Sequence, residues 1–303
     1  MSESKAPAQS DSHELRVVVP DDVWQALQDR SRMSGRGIDE IVRASLRETL
    51  DIDNDMVYQV STSSAIVEGL YEGCVTVADL RMHGDVGLGT FEGLDGELVM
   101  LDGQCYQARG DGSVTVAPDS AMIPYATVVH FGVDEVAVLP HVESLQDFTA
   151  QMDVLRTSQN RIICFVATGR FSHLRVRTAC RTQEGVGLVE ATASQVLFDF
   201  TDITGTLVGF WCPEFITTIS IAGYHLHFVS DDRLHGGHVL DLACDELRVA
   251  IDDLNEVHVA MPNSAQFLAA DLSGDHREDL DIAERGQHGQ QGRVSPAAGP
   301  DAS

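Results

Sequence analysis

Three histidines close together in the chain carry the strongest chemical signal. In Gly223-Tyr224-His225-Leu226-His227-Phe228-Val229-Ser230, His225 and His227 stand two apart. On a strand that spacing turns both rings to one face and Leu226 and Phe228 to the other. Asp231-Asp232 and Gly236-Gly237 let the chain double back, so that His238 can bring a third nitrogen. Three imidazoles with one position left open is the ligand set of a catalytic zinc. For any one of them the plainer reading is a core histidine satisfied by hydrogen bonds. Two on one strand face and a third beyond a Gly-Gly turn weigh against it.

The His-x-His pair alone also fits a cupin, a fold that carries it on a strand. A cupin places glycine six residues before the first histidine and glutamate a few after the second; Ile219 and Asp231 stand there instead. A second cluster runs from Arg81 to Glu97, with Gly84, Gly87, Gly89 and Gly93 packed ahead of Gly96. No lysine and no helix pattern follow, so these glycines do not read as a phosphate cradle. They read as tight turns and sites of close backbone approach. Glu97 opens the apolar run Leu98–Leu101, where a carboxylate can be aimed into a cleft, although a lone glutamate is more often on the surface.

Composition bounds what these residues can serve. A hydrophobic fraction of 43% over 303 residues can fill a real core. The formal charge is −27, and nine acidic and seven basic residues in the first fifty leave −25 on the remainder. That surface repels phosphate backbones and argues against nucleic acid as a partner for the body of the protein. Lys5 is the only lysine. The six cysteines are scattered without a CxxC pair and read as reduced, buried thiols. No apolar run is long enough for a membrane span and no signal peptide is evident, so a cytoplasmic protein is expected.

The elements that must position the histidines are strands. From Val57, short apolar runs broken by glycine suggest strands at Ala65–Leu70, Cys74–Leu80, Gly96–Leu101, Ser113–Val116 and Ala126–Phe131. A helix follows at Ser144–Arg156. Further strands are expected within Ile162–Ala167, Phe171–Cys180, Gly205–Phe210, Ile216–Phe228, Val239–Leu242 and Glu246–Ala250. This order predicts an α+β fold of two β-rich, mixed-sheet halves with few helices and the metal site between or on them.

Ahead of this region, Leu15, Val17 and Val19 alternate on a short strand, Pro20 ends it, and Asp21 or Asp22 caps a helix bearing Val23, Trp24, Leu27 and Met33. A second helix puts Ile38, Ile41, Val42, Leu46 and Leu50 on one stripe. This strand-helix-helix resembles the ribbon-helix-helix family, which dimerises through its strands and reads DNA with them. Of the DNA-facing positions Glu14, Arg16 and Val18, only Arg16 suits a base or phosphate, although Arg30, Arg32, Arg36, Arg43 and Arg47 could reach phosphates. The residues therefore favour a dimerisation arm over a DNA reader.

One further resemblance is long and ordered. Tyr58-Gln59-Val60-Ser61-Thr62, His83-Gly84-Asp85, Thr90-Phe91, Leu94-Asp95-Gly96-Glu97, Pro124-Tyr125-Ala126 and Arg177-Thr178 follow one another. Gly205–Phe210, Gly223–Phe228 and Gly236-Gly237-His238-Val239-Leu240-Asp241 complete the set. Together they resemble bacterial acetolactate decarboxylase over residues 57–284. The resemblance implies zinc on His225, His227 and His238, Glu97 and Arg177 in the active site, and Thr90 nearby. Arg175 shares a strand face with Arg177 and position alone could not choose between them; the Arg177-Thr178 pair matches the family. A late glutamate of the family corresponds to Glu284. Glu214, His235 and the N-terminal unit depart from the family pattern.

The resemblance also implies the chemistry: zinc-dependent decarboxylation of 2-acetolactate to (R)-acetoin and CO2, in acetoin and 2,3-butanediol formation, by a homodimer. The rival expectation is a keto-acid-sensing DNA-binding regulator, or a bifunctional enzyme and regulator, using the N-terminal unit. The expected organisation is a disordered tail (1–12), the ribbon-helix-helix-like unit (13–50), a linker (51–56), the decarboxylase-like domain (57–284) and a second disordered tail (285–303).

Overall fold

The computed structural model describes residues 15–34, 37–38, 41–42, 45–46 and 55–285. Both polar tails lie outside them, except that Arg285 ends a helix. The chain divides into two compact units, Met1–Ile52 and Asp53–Ser303. No helix among the described residues is long and apolar enough to cross a membrane.

In the first unit, α1 (Asp21–Ser34) starts just past Pro20, with Asp21 and Asp22 in its first turn where the helix dipole favours them. Ile38, Ile41, Val42 and Leu46 are helical, and Ile41 is buried; Leu50 lies outside the described residues. The expected strand at Leu15–Val19 is corrected: residues 15–20 join no strand ladder among the described residues. A strand needs a ladder partner for its amides, and the described residues of the chain offer none there.

The second unit is built on two sheets. One has the order β15-β1-β8-β3-β4-β5-β6. Its strands are β1 (Met56–Val60), β3 (Val86–Thr90), β4 (Glu97–Leu101), β5 (Gln104–Ala108), β6 (Val114–Val116), β8 (Tyr125–Val129) and β15 (Glu256–Ala260). The other comprises β9 (Glu135–Leu139), β10 (Ile162–Thr178), β11 (Val196–Phe200), β12 (Ile203–Cys212), β13 (Gly223–Ser230) and β14 (Gly236–Leu254). Its order is β11-β10-β12-β13-β14-β9, and β10 also pairs with β14, so that β10, β12, β13 and β14 close into a ring. A small ribbon joins β2 (Val75–Thr76) to β7 (Met122–Ile123).

The α+β class with few helices stands, but the halves interleave. β9 precedes the central helix α4 (Leu145–Leu155) yet joins the second sheet. β15 comes last yet lies parallel to β1 in the first. Met56, expected in a linker, begins β1. The Ala65–Leu70 run is not a strand: Thr62 caps α2 (Ser63–Val67) by accepting from the Ala65 amide. In Cys74–Leu80 only Val75–Thr76 is strand, because a capping box of Thr76 and Asp79 starts α3 (Val77–Leu80). The two pairs of runs at 162–180 and 239–250 are two long strands, β10 and β14.

Strand alternation sorts the side chains. Leu98 and Met100 of β4 enter a core on the outer side of the first sheet, while Val99 and Leu101 meet Val208, Phe210 and Val229 between the sheets. On β13, Leu226 and Phe228 pack into the interior of the second sheet with Phe165 and Phe171. Losing Phe228 to alanine would cost roughly 3–5 kcal/mol. Glu97, His225 and His227 occupy the alternate positions, and they thereby face the space between the sheets.

Candidate metal centre

Backbone register assembles the site. His227 of β13 stands opposite His238 of β14, and His238 stands opposite Arg177 of β10. Gly237 makes this corner possible: its φ is +150°, and a Cβ there would lie 2.6 Å from the Arg177 carbonyl. In the first sheet Thr90 stands opposite Glu97, and Gly96 precedes it at φ +93° with no room for a Cβ against Ala108. The fourth wall is helical. α5 (Leu188–Thr192) packs on α7 (Arg277–Arg285), the helix that follows the short α6 (Ala265–Ala269); α7 buries Leu280 and Ala283 and projects Glu284 from the same face.

All seven residues expected at a site line one cavity. His225, His227 and His238 are buried, and each offers a ring nitrogen within 4.8 Å of the others. Nδ1 of His227 lies 2.8 Å from the Leu98 carbonyl. A carbonyl only accepts, so Nδ1 carries the proton and Nε2 presents its lone pair to the cavity. Nε2 of His238 lies 3.1 Å from the Glu284 carbonyl, which by the same reasoning turns Nδ1 toward the cavity. Nε2 of His225 and Nε2 of His227 are 3.2 Å apart. Tetrahedral bonds of about 2.0 Å to one ion would set two nitrogens about 3.3 Å apart.

Burial keeps the imidazoles neutral, as metal binding requires. It pushes the His227 ring down to about 4, with Arg177 adding to the effect. Burial also holds His225 and His238 well below the usual range, helped by the neighbouring rings and Arg177. The donor set fits a borderline divalent metal with an open position.

The carboxylates and the arginine complete the cavity. Glu97 Oε1 accepts from the Ala179 amide at 3.0 Å, and Oε2 lies 3.6 Å from His227 Nε2. Burial raises the Glu97 carboxyl, with Arg177 and the amide offsetting part of the rise. Glu284 Oε2 lies 3.6 Å from each of Arg177 Nη2, His225 Nε2 and His238 Nδ1. Arg177 Nη1 donates to Gln195 Oε1 at 2.9 Å, while its buried Nε has no hydrogen-bond partner among the described residues. Thr90 Oγ1 donates to the Gly96 carbonyl and braces the turn that delivers Glu97.

Sequence reading missed the residues that shape this cavity without doing chemistry. Ile66, Leu94, Leu188, Ile221 and Leu280 give it apolar walls, and the buried Tyr125 lines it. Tyr125 stood within a quoted motif. Gln195 and Leu280 carried no local signal.

A family model described as alpha-acetolactate decarboxylase matches residues 57–274. The alpha-acetolactate decarboxylase of Methanosarcina mazei is 38% identical over 239 residues, covering 78% of this chain and 83% of that protein. Its counterpart in Lactococcus lactis subsp. cremoris is 37% identical, covering 75% and 98%. The crystal structure of alpha-acetolactate decarboxylase from Bacillus subtilis strain 168 superposes with a TM-score of 0.73 at 32% identity, covering 76% of this chain and 99% of that one. The site and these likenesses together show that the chain is an enzyme of the alpha-acetolactate decarboxylase family.

Proposed function

We propose that the enzyme converts 2-acetolactate to (R)-acetoin and CO2 with zinc as its metal, within acetoin and 2,3-butanediol formation. The observation that carries this reading is the group of three buried imidazoles beside one arginine and two carboxyl groups. His225, His227 and His238 would hold the ion. Zinc, when bound, supplies a Lewis acid for the charge that develops on the substrate's ketone oxygen.

Arg177 pairs with the substrate carboxylate and orients the bond to be broken. Loss of CO2 leaves the bonding pair on the hydroxyl-bearing carbon, delocalised into the adjacent ketone. Glu97 returns a proton to that carbon on one face. Two observations favour Glu97 over Glu284 as donor: burial raises its carboxyl, and the Ala179 amide fixes one of its oxygens. Glu284, beside Arg177 and two imidazoles, serves positioning instead. Thr90 acts through the turn before Glu97, and the apolar walls keep water from competing for the proton.

The N-terminal unit is proposed to pair with a second copy. Leu15 and Val17, on one face of the expected strand, are 70% and 67% exposed, apolar surface that a second copy would cover. DNA contact, as a sensor or a bifunctional enzyme, is the rival reading, and loss of dimer without loss of any DNA shift on deleting residues 1–50 would exclude it for this unit. The main test is the purified protein with racemic acetolactate. Formation of one acetoin enantiomer with matching CO2 is expected; absence of acetoin would overturn the reading.

A further inference from the structure

Three arginines of β10 differ in what holds them. Arg170 gives Nε and Nη2 to the carboxylate of Asp202, and Arg175 gives the same pair to Asp199 of β11. Both guanidiniums are thereby matched by a hydrogen-bonded carboxylate. Arg177 is not. Its hydrogen bond runs to the amide oxygen of Gln195 through Nη1, and the Glu284 carboxylate stands off at 3.6 Å from Nη2. The Arg177 side chain is also far more buried, 6% exposed against 49% for Arg175.

Gln195 sits at a junction. It ends the turn after α5, where its amide donates to the Thr192 carbonyl, and it leads directly into β11, which pairs with β10 at Leu197↔Arg177. The same turn carries Thr192 and, one helical turn earlier, Leu188, both of which line the cavity. A neutral acceptor at this position grips one end of the guanidinium without cancelling its charge. An acidic residue there would recreate the Arg175–Asp199 pair and compete with any anion arriving from the cavity.

We propose that Gln195 is a positioning residue: it fixes Arg177 by one nitrogen and, being uncharged, reserves the guanidinium for the carboxylate of an incoming 2-hydroxy acid. This rests on the decarboxylase reading for the identity of the substrate but not for the chemistry of the contact. It also explains why two arginines two residues apart on one strand differ in role.

The test uses full-length, zinc-loaded protein and its Gln195→Ala, Gln195→Glu and Arg175→Gln variants. Binding of 2-hydroxy-2-methylpropanoate, an acid that cannot decarboxylate by this route, is measured by calorimetry beside kcat and KM for acetolactate. Gln195→Ala should weaken binding and raise KM roughly ten-fold with kcat within a few-fold. Gln195→Glu should weaken both by roughly a hundred-fold. Arg175→Gln, zinc content and thermal midpoint should match the parent. Equal binding in parent and Gln195→Glu, or no binding by the parent, would overturn the assignment. The expected binding pattern without acetoin formation would overturn the decarboxylase reading and leave the Gln195 assignment standing.

Discussion

The β10–β14 ladder buries polar groups at both of its ends, and the two ends behave differently. Near one end Arg177 faces His238; toward the other Cys164 faces Asp252. All four are nearly inaccessible to solvent. At the Asp252 end the surroundings ask for no ligand. Asp252 Oδ2 accepts from the Gly132 amide at 2.9 Å, and burial, reinforced by Asp134, Asp55 and Asp253, raises its carboxyl to about 7. The Cys164 thiol is pushed up by burial and by Asp252 and Asp85. For both groups burial shifts the balance toward the protonated form. At the histidine end Nε2 of His225 and Nε2 of His227 stand 3.2 Å apart, and charging either ring is opposed by burial and by Arg177. Depth of burial is thus shared, and the convergence of three imidazole nitrogens on one cavity distinguishes a site for a cation from a structural acid.

That contrast is open to breakage at either end. The largest effect is expected from His227→Ala, which should lower acetoin formation by at least roughly a thousand-fold, since a three-ligand site that loses one ligand loses its ion. Cys164→Ala at the other end should leave turnover within about two-fold. Equal losses in the two variants would erase the distinction.

Glu97→Gln should come next, with turnover down roughly 10²–10⁴-fold as expected for removal of a general acid. Chiral chromatography should also show residual acetoin of lower enantiomeric purity. Full activity with unchanged stereochemistry would exclude Glu97 as donor.

The smallest effect concerns Asp252→Asn. A folded-state carboxyl raised from 3.8 to about 7 stabilises the fold fully below about pH 4, and that stabilisation is lost as pH rises through 7. The variant keeps an acceptor for the Gly132 amide and should remove this slope. Its thermal midpoint at pH 8 should exceed the parent's by roughly 2–4 °C, with little difference at pH 4 and unchanged turnover. Parallel midpoint-against-pH curves would show that Asp252 is ionised at neutral pH.

Local patterns were legible in the chain, and long-range pairings were not. His225 and His227 on one strand face, with Leu226 and Phe228 behind, follow from a period of two, and α4 from its flanking residues Ser144 and Arg156. The glycine-rich stretch before Glu97 hid β3, because strand propensity is low where close approach to β8 demands glycine. No local signal could announce that β9 and β15 cross into the other half's sheet. Arg177 was separable from Arg175 by resemblance alone; the structure supplies the physical difference in Gln195 and Asp199. Glu284 reaches the histidines only because α7 folds back across the cavity, a placement that no spacing rule contains.

On the proposed reading His225, His227 and His238 hold one zinc ion on which turnover depends. Metal analysis of the purified protein by mass spectrometry, coupled to the acetoin assay before and after chelation, tests it most directly. The expected result is one zinc per chain, loss of acetoin formation with the chelator, and recovery on adding zinc back. Full turnover by the metal-free protein, or zinc retained at full stoichiometry after all three histidines are replaced, would contradict it.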